Sequence, residues 1–227
     1  MNPYGFPANL SGANLGGVHL AGADLSGASM ALADLRGANL TIADLRGAGL
    51  AHANLRGAEV VSTNLARADL YGADLSDANL RGVNLVGAIL YGANLHGAGM
   101  VSANLTDADL TSANLSSANL CDADLTSANL RGAALVNVNL TSANLSGANL
   151  TSANLCGANL RGAILTGANL TGADLTGAIL SGAILSSATL TDASLADVRW
   201  RDAAPEAPAA PAAPAAVPVL AAPHQVW

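Results

Sequence analysis

A chain of 227 residues that is 51% apolar but only 3% aromatic and 11% charged has ample material for a packed interior, which excludes a disordered protein, yet lacks the bulky rings of an ordinary globular core. With no Lys, nine Arg and a formal charge of −7, it has no basic face to displace counterions, so direct nucleic-acid binding is excluded. Polar residues recur too often anywhere for a membrane span of about 20 apolar residues.

The first element in chain order is residues 1–7. Met1 to Pro7 has neither the basic start nor the apolar run of a secretory signal, so a soluble, cytoplasmic protein is expected. Pro3, Tyr4, Phe6 and Pro7 are bulky enough to form an N-terminal cap over whatever follows.

From residue 8 to 202 the sequence repeats with a period of five. Every fifth residue from Leu10 to Leu195 is Leu, except for Met30, Val60 and Met100, and two residues earlier stands Ala, departing only at Val18, Thr63, Val83 and Val138. The unit is Ala-(Asn/Asp)-Leu-x-x, as in Ala143-Asn144-Leu145-Ser146-Gly147. A helix fails for this pattern, because at about 100° per residue each Leu advances about 140° and no apolar face survives. An unbroken strand fails too: Ala and Leu share a face at spacing two, but five is odd, so the next pair would fall on the other face. The chain must turn once per pentad, pointing Ala and Leu at a common axis and the other three positions outward. The frequent Gly at the last position, such as Gly37 or Gly162, suits a corner with positive φ.

These residues resemble the A(D/N)LXX consensus of the pentapeptide-repeat family, matched from Ala8 to Leu195. The resemblance implies an all-β fold, a right-handed quadrilateral parallel β-helix with four pentads per coil, which gives about nine to ten coils and a rod roughly 45 Å long at ~4.8 Å per coil. It also implies that residues 20 apart stack on one face, which turns the sequence into a surface map.

On that map Arg36 and Arg56 stack, and are expected to pair with neighbouring acids. Tyr71 and Tyr91 stack beside Asp69 and Ile89, giving a mid-rod aromatic patch that either binds a partner or is a stabilising ladder. Further on, Ile164 stacks with Ile184, with Ile179 on an adjacent face, in slots where the consensus has Asn or Asp; this apolar region is a candidate contact for a second protomer in a homodimer or for the tail, or is incidental drift. Trp200 falls in the Leu slot after Leu195, with Val198 in the Ala slot, and reads as a lid on the last partial coil or as part of that contact.

After Asp202 the composition shifts to Ala and Pro, with Pro205, Pro208, Pro211, Pro214, Pro218 and Pro223. Residues 203–227 read as a flexible, extended tail whose apolar end, Val217 to Leu220 and Val226-Trp227, either stays unattached or docks on the rod or a partner.

Nothing in the chain has the pattern of an enzyme or cofactor site. It lacks a phosphate loop, a paired His-Glu metal motif and a nucleophile elbow. Cys121 and Cys156 are expected as free thiols. His19, His52, His96 and His224 are scattered and read as lone, solvated side chains. The expectation is a non-catalytic rod with no cofactor or metal, acting as a protein-interaction scaffold. The family resemblance implies an alternative, since some pentapeptide-repeat proteins mimic DNA and bind gyrase or topoisomerase IV, protecting against quinolones. Against it, Ala8 to Trp200 carries fourteen acidic residues and eight Arg, where 45 Å of duplex would carry roughly 27 negative charges.

Overall fold

The computed structural model describes residues 8–201; the expected cap, 1–7, and tail, 203–227, lie outside the described residues. Within them every pentad does the same thing. The Asn/Asp position forms a bridge, the Leu follows, and the next two residues make a turn. The bridges are all parallel and join each residue to the one twenty positions later, from Asn9↔Ser29 to Ile179↔Arg199. A turn every five residues and a register of twenty give four sides to each coil of a β-helix.

One pentad shows why the arrangement closes. The Asn94 N–H donates to the Ala73 carbonyl of the preceding coil at 2.9 Å, and the Leu95 and Gly97 N–H groups donate to Asn114 and Ser116 of the next coil at 2.7 and 3.0 Å. The Ala98 N–H closes the corner on the Leu95 carbonyl at 3.1 Å. The fifth donor, His96 N–H, goes to Oδ1 of Asn94 at 3.2 Å. All five backbone donors are thereby used, as a structure with so much enclosed backbone requires.

That last bond explains the Asn/Asp slot. Its Oδ1 accepts the N–H two residues on, at Ser11 from Asn9, Arg36 from Asp34, Thr126 from Asp124 and along the rod. Asn and Asp present the same oxygen, so either serves as the local staple of the corner. Asn additionally donates along the stack: Asn94 to Asp74 at 3.1 Å and Asn114 to Asn94 at 3.2 Å. The slot is half-buried along most of the rod rather than simply outward-facing.

The second corner residue has positive φ in Gly and non-Gly alike, for example Gly132 at 64° and Ser112 at 57°. With a hydrogen bond from the fourth residue to the first, this is the signature of a type II turn. Inside, Ala and Leu side chains form one continuous core from Ala28 to Leu180. Leu10, Leu15, Leu20 and Leu25 at one end, and Leu185, Leu190 and Val198 at the other, are only partly buried, because no further described coil covers them. Thr63 is the one fully buried polar side chain in an Ala slot among the described residues, and its hydroxyl donates to the Leu40 carbonyl at 2.6 Å.

Candidate interaction surface

Each coil repeats the last, so distinctive chemistry arises only where the outward residues depart from it. The largest departure is at the corner that carries residues 71 and 91. The coil register sets the Tyr71 ring on that of Tyr91, with centroids 5.6 Å apart and planes within 7° of parallel. Both residues remain exposed, at 44% and 42%, so the stack is a surface feature.

The corner extends further than the sequence reading placed it. His52, read there as a lone solvated side chain, packs its ring edge-on to Tyr71 with centroids 5.1 Å apart and planes at 89°. It can do so because Gly72, one coil on, has no Cβ: an added one would sit 2.7 Å from Nδ1 and 2.8 Å from Cε1 of the imidazole. Leu32 occupies the same corner position one coil before His52, 70% exposed and at φ 60°. The corner backbone is itself laddered, from Leu32 N–H to Ala51 carbonyl, His52 to Tyr71 and Gly72 to Tyr91, at 3.0, 2.8 and 3.0 Å.

Of the other residues expected here, Ile89 is 45% exposed and bridged to Asp69. It occupies the Asn/Asp slot and offers no oxygen to the Tyr91 N–H, so a local hydrogen bond is given up for an exposed apolar side chain. Asp69 keeps the ordinary role: its Oδ1 accepts the Tyr71 N–H at 3.0 Å, so it shapes the corner. The sequence signal for Leu32 and His52 was a column read at twenty-residue spacing, Gly12, Leu32, His52, Gly72, Gly92, in which two bulky side chains interrupt the glycines.

The second expected patch is a separate surface. Ile164 and Ile184 are bridged on one face and exposed at 36% and 48%; Ile179 lies on the adjacent face, bridged to Asn159 and Arg199, and is half-buried. Trp200 is 48% exposed while Val198 packs on the core, so of these two residues it is Val198 that covers the final coil's interior. Ile42, exposed and at φ 54°, stands on the corner diagonally opposite the tyrosines and joins neither patch.

Three of the arginines pair with acids. Arg36 reaches Asp34 at 2.6 Å, Arg46 reaches Asp44 at 2.5 Å and Arg56 reaches Asp77 at 3.5 Å. The Arg36 hydrogen bonds hold the Asp34 carboxyl down to about 2. A hollow of about 520 Å³ lined by Arg46, Arg67, Asn84 and Val86 opens on a different corner. Cys121 and Cys156 are free thiols. Cys156 donates to Asp174 Oδ2 at 3.1 Å, which pushes its pKa up, and partial burial does the same for Cys121; both changes disfavour the nucleophilic thiolate. Among the described residues no three His, Cys, Asp or Glu are grouped to hold a metal ion, and no helix is long and apolar enough to cross a membrane.

The chain is similar to known proteins in sequence and in fold family. A family profile described as pentapeptide repeats matches residues 8–41, 43–82, 63–100, 103–141 and 143–182. Among solved structures, the chain is similar to HetL, a pentapeptide repeat protein involved in heterocyst differentiation regulation in the cyanobacterium Nostoc sp. strain PCC 7120, at 36% identity over 85% of this chain and 87% of that one, TM-score 0.40. It is similar to Rfr23 from the cyanobacterium Cyanothece 51142 at 38% identity over 52% and 90%, TM-score 0.43. QnrB1, a plasmid-mediated fluoroquinolone resistance protein, is 25% identical over 70% and 83%, TM-score 0.41. No curated protein sequence matches the chain.

Proposed function

Because the chain belongs to the pentapeptide-repeat family, we propose that it is a non-catalytic interaction scaffold, a right-handed rod of nine to ten coils that holds a protein partner against its aromatic corner. The observation that carries this reading is the parallel Tyr71–Tyr91 stack, with both residues more than two fifths exposed. Aromatic side chains at interfaces supply large contact area for little lost rotamer freedom, and here the stack already fixes both rings. Ile89 adds exposed apolar surface beside them at the cost of a corner hydrogen bond, which folding alone does not repay.

A DNA-mimicking role against gyrase or topoisomerase IV is disfavoured by the charge layout. Asp34 and Asp44 are each tied to an Arg two residues on, and the acidic column of Asp24 and Asp44 passes to Asn64 in the next coil. The two readings separate experimentally. A photo-crosslinking residue at position 111, the next rung after Tyr91, should trap a partner from cells, and capture should fall at least tenfold with Tyr71→Ala plus Tyr91→Ala. Equal capture would remove the corner from consideration. Protection of gyrase supercoiling from a quinolone by micromolar rod would instead establish the topoisomerase reading.

A further inference from the structure

The hollow of about 520 Å³ exists because one corner residue is small. At the first corner position of three successive coils stand Arg46, Ala66 and Val86. The Gly47 N–H on the Ala66 carbonyl and the Arg67 N–H on the Val86 carbonyl, each at 2.9 Å, hold them in that order. Ala66 is thus a floor between two taller neighbours, and the space above it falls within the range of small-molecule sites.

Among the described residues no acid lines this space; around Ala66 stand Arg46, Gly47, Arg67, Asn84 and Val86. The Arg67 Cγ lies 3.7 Å from the point where a Cβ on Gly87 would stand, so its stem runs over that glycine toward the next coil. Its guanidinium forms no ion pair among the described residues. Asp69, two residues on, turns its Oδ1 to the Tyr71 N–H on the adjacent face. Arg46 differs, because its Nε and Nη2 donate to Asp44 at 2.9 and 2.5 Å, which fixes that guanidinium and balances its charge. Asn84 is held as well: its Oδ1 accepts the Val86 N–H at 3.2 Å and its Nδ2 donates to Asn64 Oδ1 at 3.1 Å. The hollow therefore has tethered walls and one guanidinium whose charge nothing balances.

Those features select a ligand. A guanidinium presents paired N–H donors that match the two oxygens of a carboxylate. One unbalanced positive charge suits one negative charge, whereas a phosphate dianion would bring a second beside Asp44. Ala66, Val86 and the methylene stems of the two arginines offer apolar surface next to the fork, so the complement is a carboxylate carried on an aliphatic stem.

We propose that this hollow binds a carboxylate on a short aliphatic stem, borne by a small organic acid or by an acidic side chain of a protein, with Arg67 as the fork and Ala66 and Val86 against the stem. The site is separate from the aromatic corner and does not depend on it.

The test is a titration of the full chain followed through its arginine Nε–Hε resonances, at physiological ionic strength, where exposed charges more than about 8 Å apart are screened. Hexanoate supplies acid and stem, hexanol the stem alone, and inorganic phosphate the charge alone. Hexanoate should give a saturable shift at Arg67, half-complete on the order of 1 mM, and leave Arg131, exposed on the tyrosine corner, unmoved. Equal, unsaturable movement at both arginines would mean general ion pairing and overturn the proposal, as would phosphate or hexanol matching hexanoate. Arg67→Ser installs the residue that the same corner position carries at Ser127 and Ser187, whose φ of 57° and 58° matches the 58° of Arg67, so the corner is kept. Ala66→Leu fills the floor with both guanidinia retained. Each should weaken hexanoate binding about tenfold, and native-like binding by Ala66→Leu would rule the hollow out as the site. An acetylated and amidated pentapeptide with a central Glu separates the two sources: saturation below the hexanoate concentration assigns the carboxylate to a protein side chain, and saturation above it to a free acid. Tyr71→Ala plus Tyr91→Ala should leave hexanoate binding unchanged, so failure of this site leaves the aromatic corner standing, and failure of the corner leaves this site intact.

Discussion

Replacing Gly72 by Ala isolates the ring contact that widens the candidate surface. The new Cβ would stand 2.7 Å from His52 Nδ1, well inside van der Waals contact, so the imidazole has to swing off the corner and lose its edge-on contact with Tyr71. That contact is worth about 0.5 kcal/mol at an exposed site. The substitution also places an Ala at φ 59°, costing about 1 kcal/mol. Gly92→Ala, one coil on at φ 63°, meets nothing within 4 Å and carries the strain alone. The expected losses are therefore about 1.5 kcal/mol for Gly72→Ala and about 1 kcal/mol for Gly92→Ala, and His52→Ala should make the two equal. The local readout is the His52 Hε1 resonance, shifted by the Tyr71 ring in the native chain. Gly72→Ala should return it to the position of a free imidazole and Gly92→Ala should not. A His52 signal unmoved by Gly72→Ala would refute the contact.

Three further outcomes follow from the same structure. Arg36→Ala should raise the Asp34 pKa from about 2 toward its ordinary 3.8, because the Arg36 hydrogen bonds are the largest cause of the depression; a carboxyl-carbon titration by nuclear magnetic resonance reads this directly. Since the folded value is the lower one, whatever stability this pair adds is complete above the ordinary value and disappears as pH falls through about 2. Thr63→Val should cost no more than about 1 kcal/mol in denaturant unfolding, because the Leu40 carbonyl keeps its bond from the Ala43 N–H and Val already fills the equivalent slot at Val83. Leu105→Ala, in the sealed middle of the core, should cost about 3 kcal/mol, whereas Leu195→Ala, 39% exposed in the last coil, should cost under about 1.

The turn per pentad was legible from Leu10 to Leu195 because only a corner every five residues keeps Ala and Leu on one axis. The number of sides came from the family resemblance, and the bridges twenty residues apart agree with it. The stacking of Tyr71 on Tyr91 was then simple arithmetic, and Arg36 found its acid two residues back, at Asp34. The Asn/Asp slot was read correctly as interchangeable but for want of a reason; the shared Oδ1 that staples the next corner residue is visible only with coordinates. His52 was missed because its partner is offset by nineteen residues, and because the space it fills is made by an absence, the Cβ that Gly72 lacks. Leu32 was missed because an exposed Leu at a corner breaks no pattern in the core period.

The aromatic corner exists only if coils are in register at twenty residues. Ring-to-ring nuclear Overhauser contacts measure it directly, with His52 and Tyr71 as the first pair and Tyr71 and Tyr91 as the second. Cross-peaks are expected for both, from centroid separations of 5.1 and 5.6 Å. Absence of both from a folded chain would contradict the register, and with it the corner proposed as the interaction surface.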